Sequence, residues 1–174
     1  MGSVVGNSVR SMTELRSDPE VAAIENLKAR YCRLLDTKDW TGFRELFADD
    51  FTSDTTDSGG PLIAGADEFV EFVSSTLGRA VTVHQVQQPE IEILDEASAT
   101  AIRAMQDVVR FAPGLTLHGF GHYHETYTRR DGQWLIESSR LTRLHEEVRT
   151  PLFSVFVSER MRRALGRAAQ RAQR

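Results

Sequence analysis

Four ionisable side chains interrupt apolar stretches of this sequence. Asp36 follows Leu34-Leu35, His84 stands between Val83 and Val86, and Asp107 lies between Met105 and Val109. Arg140 shares a strand face with Trp134 and Ile136 if that strand runs unbroken. Burying a charge is costly unless something pairs or uses it. Four such residues around one prospective core therefore outline a polar cluster in an apolar cavity. A histidine side chain, with an unperturbed pKa of about 6.5, can take a proton near neutral pH. A carboxylate on its other nitrogen fixes the tautomer and stabilises the imidazolium. Tyr31 could donate a hydrogen bond to a carbonyl or leaving oxygen, and Arg140 could stabilise developing negative charge. Plainer roles exist for each. Asp36 could cap a helix, His84 could be a satisfied core histidine, and Asp107 and Arg140 could form a structural ion pair. Tyr31 and Asp36 are five residues apart, about 140° around an ideal helix, so they converge only if the helix loosens near its end.

Two other groups merit a chemical reading. His118, His122 and His124 share a face of the strand that contains Phe120. A His-x-His pair can grip a metal, but only with further ligands and a hydrogen-bonded second layer, and none is evident, so no metal is expected. The single cysteine, Cys32, sits in a helical pattern and reads as a small buried hydrophobe; it excludes an internal disulfide framework. His145 reads as an exposed residue at a strand end.

The elements that must position these groups follow from periodicity. Ser17-Asp18-Pro19-Glu20 combines a capping residue, a proline suited to a first helical turn and a glutamate. A helix should follow, with Ile24, Leu27, Tyr31 and Leu35 as its apolar stripe. A second helix begins near Asp39 and carries Trp40, Phe43, Leu46 and Phe47. Residues 52–61 read as a loop or a frayed edge, and a third helix begins near Asp67 with Phe69, Val70, Val73 and Leu77 inward. The period then changes. Strands are expected over 81–86, 90–94, 97–111, 115–129 and 133–144, with Asp131-Gly132 as a strong hairpin signal. Helices followed by antiparallel strands give an α+β class, with about three helices held inside a strongly curved sheet.

A chain of 174 residues is one domain by size, with room for a core. We expect a mobile leader over 1–16, the main domain over 17–150 and an extension over 151–174 that ends in an arginine-rich helix. A net charge of −4 gives no support to nucleic-acid binding. No run approaches the roughly 18 apolar residues of a membrane span, and the first twelve residues have no apolar signal stretch. A cytoplasmic location is the simplest expectation. Ile102, Ala104 and Val108 oppose Met105 and Val109 on one strand, so both sheet faces need cover. That predicts a homodimer or homotrimer.

The segments Ile24 to Asp36, Asp39-Trp40 and Leu46 to Phe51 resemble the opening of the SnoaL-like family. Thr82-Val83-His84-Gln85, Gly121-His122-Tyr123 and Asp131 to Ile136 extend the likeness across roughly residues 18–146. This family belongs to the nuclear-transport-factor-two-like superfamily, with its dehydratases, dehydrochlorinases, isomerases and polyketide cyclases. The resemblance implies a cone-shaped fold around an apolar pocket and a cofactor-independent reaction. It puts Asp36 and His84 at the positions of a catalytic dyad, Tyr31 and Asp107 at those of assisting groups, and Arg140 at that of a pocket arginine. Trp40, Phe51, Met105, Phe120 and His122 are then candidates to contact the substrate. After the histidine, Gln85-Val86-Gln87 departs from the glycine and second histidine of many relatives. The implied activity is a dehydratase-type elimination on a small, largely apolar or polycyclic molecule. The alternatives are an isomerase or cyclase of a ketone, or a non-catalytic binding module.

Overall fold

Asp18 caps the first helix, α1 (Pro19–Thr37), by accepting from the Glu20 N–H at 2.9 Å, with Pro19 in the first turn. These coordinates come from a computed structural model that describes residues 18–172. Ser17 and the expected leader, 1–16, lie outside the described residues. Lys38 takes the left-handed conformation (φ 63°) and stops α1 two residues after Asp36. The short α2 (Trp40–Arg44) is capped by Asp39, whose carboxylate accepts from the Gly42 N–H.

The expected second helix reaches only Arg44. Phe47, placed on that helix by its spacing, instead opens strand β1 (Phe47–Asp54), and residues 52–54, expected as a loop or a frayed edge, belong to the same strand. Local spacing suits a helix here. Tertiary pairing wins, because β1 runs parallel to the last long strand and the Leu46 carbonyl accepts from the Ile136 N–H at 2.9 Å. A 3₁₀ turn (Thr56–Ser58) and β2 (Leu62–Ala64) lead into α3 (Ala66–Leu77). The four long antiparallel strands are β3 (Val81–Ile93), β4 (Ser98–Ala112), β5 (Leu115–Arg130) and β6 (Gln133–Arg149). Two separate strands were expected over 81–94. They are one strand with a bulge between Gln87 and Glu90, where Gln88 has φ 49° and Pro89 cannot donate to the ladder. The short β7 (Ser154–Phe156) pairs with β6, and α4 (Glu159–Ala172) follows.

The sheet order is β2-β1-β6-β5-β4-β3, with β7 also on β6. It is a mixed sheet, because β1 and β6 are parallel while the other pairs are antiparallel. The fold has the α+β class and curved sheet read from the pattern and the cone shape that the resemblance implies. Phe43, Phe47, Phe51 and Phe69 form an aromatic cluster in its core, with ring contacts at 4.5–6.1 Å between centroids. Offset and edge contacts of this kind add about 0.5–1.5 kcal/mol each beyond area burial. Among the described residues, no helix is long and apolar enough to cross a membrane.

Candidate functional site

The fold holds a cavity of about 210 Å³. Its walls are apolar, from Leu35, Phe69, Phe72, Val73, Val109 and Leu117, and its polar atoms come from Tyr31, Ser53, Thr55, His84, Asp107, Tyr123, Ser139 and Arg143.

His84 and Asp36 meet at the edge strand. The His84 ring Nδ1 lies 2.7 Å from Asp36 Oδ1, and the His84 backbone N–H donates to Asp36 Oδ2 at 2.8 Å. Thr82 Oγ1 donates to Asp36 Oδ1 at 2.8 Å and itself accepts from Lys38 Nζ at 2.7 Å. The local sequence explains this. The αL stop at Lys38 ends α1 where Asp36 faces β3, and the period of two sets Thr82 and His84 on the same inner face. Partial burial pushes the Asp36 carboxyl up, but the bonds from His84 and Thr82 outweigh it and hold the group below the ordinary carboxylate range. With Nδ1 engaged by the carboxylate, Nε2 is the nitrogen left to act as a base, and the His84 side chain is only 6% exposed. The 140° offset between Tyr31 and Asp36 is no obstacle. Tyr31 lines the cavity directly, whereas Asp36 is not among the lining residues and sits behind His84.

Tyr31 is buried, and burial first, then the neighbouring Tyr123 and Glu125, pushes its phenol well above the ordinary value. It is therefore a neutral hydrogen-bond donor across the working pH range. Asp107 lines the cavity too, and its Oδ2 accepts from Arg143 Nη2 at 2.6 Å while Oδ1 is buried with no hydrogen-bond partner among the described residues.

Arg140 does not reach the cavity. Its side chain is 57% exposed and pairs with Asp57 at 2.6 Å on the surface. The expectation assumed an unbroken strand, and β6 is broken by a bulge: Tyr127 pairs with Ile136 but Thr126 pairs with Ser138, leaving Glu137 unmatched. The side chains from Ser138 to Arg143 change face, up to a second bulge at Leu144. Trp134 and Ile136 point inward before the bulge, and Ser139, Leu141 and Arg143 after it. Arg143 thus occupies the place expected of Arg140.

None of the five expected contact residues lines the cavity. Trp40 packs on Phe43, and Phe51 is sealed in the aromatic core. Met105 faces inward but lies under Arg143, whose Nη1 is 3.5 Å from its sulfur. Phe120 and His122 stand on the outer face of β5, because the inner positions there are Gly119, Gly121, Tyr123, Glu125 and Tyr127. His118 and His124 share that outer face, and among the described residues no cluster suits a metal. His145 is exposed as expected, with its ring near Phe120 and Phe156.

A second polar group escaped the sequence reading. Lys28 Nζ, fully buried, lies 2.5 Å from Glu125 Oε1 and under 4 Å from the ring centres of Tyr31 and Tyr123. Tyr127 Oη donates to Glu125 Oε2 at 2.6 Å, and Arg103 Nε is 3.7 Å from the same oxygen. The signal was available: Lys28 falls within the Ile24–Tyr31–Leu35 stripe, and Glu125 alternates with Tyr123 and Tyr127.

A family model described as a SnoaL-like domain matches residues 19–140. The Gibberella zeae protein named probable cyclase FGR4 is 28% identical over 144 residues, which is 73% of this chain and 93% of that protein. A Novosphingobium aromaticivorans structure named for scytalone dehydratase superposes with a TM-score of 0.69 at 21% identity, over 78% of this chain and 90% of its own. The hexachlorocyclohexane dehydrochlorinase LinA-type3 of Novosphingobium barchaimii gives 0.64 at 15% identity, over 80% and 90%.

Proposed function

This chain belongs to the SnoaL-like family, and on that footing we propose that it is a cofactor-independent lyase that eliminates water or halide from a small, largely apolar molecule. Relatives named for a dehydratase, a dehydrochlorinase and a cyclase support a role in converting small molecules. The single observation that carries the reading is the Asp36–His84 pair at the wall of an apolar cavity. A cavity of about 210 Å³ is small beside the roughly 300–1,000 Å³ of common ligand sites, which favours a compact substrate over a polycyclic one.

In this proposal His84 Nε2 takes a proton from carbon, and Asp36 holds the ring and stabilises the imidazolium. The C–H electron pair becomes the new double bond. A departing hydroxyl collects that proton from the imidazolium and leaves as water, whereas a halide leaves as the anion and the proton passes to solvent. Tyr31 donates to a carbonyl or leaving oxygen, Arg143 stabilises developing negative charge, and Asp107 Oδ1 accepts from a substrate hydroxyl. Apolar walls exclude water and strengthen each interaction.

The cyclase name of the 28%-identical relative favours a second reading. The same proton abstraction beside a carbonyl gives an enolate, which could close a ring or isomerise. Screening hydroxy-ketones and halogenated rings with product mass as the readout separates the two, since only elimination loses water or hydrogen halide. No turnover across the panel, with tight binding of one of its members, would favour the binding module instead.

A further inference from the structure

We infer that Lys38 is a positioning residue for the Asp36–His84 pair, acting through the Thr82 hydroxyl to keep the carboxylate charged and turned to the ring. This role rests on the reading of that pair as the catalytic dyad.

Two bonds run in one direction toward the dyad. Lys38 Nζ donates to Thr82 Oγ1 at 2.7 Å, and Thr82 Oγ1 donates to Asp36 Oδ1 at 2.8 Å. An ammonium has three donors and no acceptor, and a hydroxyl has a single proton. Lys38 therefore occupies a lone pair of Thr82, and the Thr82 proton is left for Asp36. The same Oδ1 lies 2.7 Å from His84 Nδ1, and Oδ2 receives the His84 backbone N–H at 2.8 Å. Each of these donors favours the charged carboxylate. A carboxylate can only accept, so the proton between the two groups stays on Nδ1 and leaves Nε2 bare.

The backbone gives an independent sign. Lys38 ends α1 at φ 63°, a left-handed position more often filled by glycine, because a Cβ is strained there. The stop itself needs only main chain: the Lys38 N–H donates to the Leu35 carbonyl at 3.3 Å, and the Asp39 N–H to the Leu34 carbonyl at 3.0 Å. A lysine kept in a strained conformation is accounted for when its side chain makes a contact that glycine cannot. That contact is with Thr82, which is buried, while the Trp40 ring centre at 5.8 Å is at the outer limit of a cation–π contact. Asp36 is faced by His84 and Thr82 from β3, by Lys38 at the end of its own helix and by Cys32 one turn back; Asp107 stands beyond, opposite His84 on β4. Burial pushes the Cys32 thiol up, so it stays neutral. Lys38 is then the cation of this group: partial burial pushes its ammonium down and Asp36 pulls it back up.

The test reads Asp36 with no substrate. In the full chain, a pH titration followed by ¹³C NMR of the Asp36 carboxyl carbon gives its proton affinity. Lys38→Gly suits the left-handed stop and keeps the end of α1, so the helix end cannot be the cause of a change. It should raise the proton affinity of Asp36 by about tenfold, the scale of losing a charge-assisted hydrogen bond. Thr82→Val should raise it at least as much. Adding Lys38→Gly to Thr82→Val should then change it by less than about twofold, because the path is already cut. A wild-type titration in Lys38→Gly overturns the proposal. So does a tenfold effect of Lys38→Gly that survives in Thr82→Val, which would mean that the lysine acts on Asp36 without the hydroxyl. If Thr82→Val fails to fold, Thr82→Ala takes its place in the same comparison. Failure of the elimination chemistry would leave these titrations unchanged, so the two readings fail separately.

Discussion

At the scale of single residues, the pair Asp36–His84 puts a restrained imidazole against an apolar cavity. His84→Ala should leave the fold intact and lower turnover on a verified substrate by about 10²–10⁴-fold, the usual worth of a general base. Wild-type turnover in that variant would end the dyad mechanism. Asp36→Asn should be nearly as damaging, because the amide can hold the ring yet cannot stabilise the imidazolium. The same residue governs acid stability. Its folded pKa is depressed, so it contributes stability above its unfolded value of about 3.9, and that contribution is lost as pH falls through the folded value. Thermal melts between neutral pH and about pH 3 should therefore show a shallower acid loss in Asp36→Asn than in the wild type. Equal slopes would mean that the hydrogen bonds to Asp36 do not survive in solution. Arg143→Lys should weaken activity, since lysine cannot reproduce the planar fork on Asp107.

At the scale of elements, α1 is fastened to the sheet by a buried ion pair between Lys28 and Glu125. Lys28→Ala should destabilise the fold by about 3–5 kcal/mol in urea unfolding, because it removes the nearest cation from the buried Glu125 carboxylate. A loss within the range of an exposed pair, under ~1 kcal/mol, would show that water reaches the site. The bulge at Glu137 sets which side chains of β6 face the cavity. Gly119 sets how closely the pair above it can sit, for a Cβ there would collide with Arg143 Nη1 and Asp107 Oδ1. Gly119→Ala should cost about 1–3 kcal/mol by overpacking and separate the two side chains. A crystal structure of that variant with Arg143 still on Asp107 would refute this.

At the scale of the whole molecule, the inner and outer sheet faces differ as the alternation requires. Met105 and Val109 are buried, while Ile102 and Phe120 on the outer face remain about two-fifths exposed. We propose that a second or third copy covers this face. Sedimentation at micromolar concentration should show an assembly larger than one chain, and Phe120→Glu should shift it toward the monomer. A wild-type monomer throughout would remove the idea and leave the cavity reading untouched.

Much of the fold and part of the site could be read from the order of residues alone. The capped helix, the change of period from about 3.6 to two and the Asp131-Gly132 hairpin are local signals, written in the residues that form each element. Asp36 and His84 were legible for a related reason: a charge inside an apolar stretch stands out wherever the stretch goes. Two other features depended on pairing between distant segments. Phe47 matched a helix by spacing and became a strand because β6 offered it backbone partners. Arg143 took the place expected of Arg140 because one unmatched residue, Glu137, reverses the side chains of β6 as far as the next bulge at Leu144. A strand's period of two is local, but the place where it slips is set by the neighbouring strand, so only the tertiary structure decides which arginine meets Asp107.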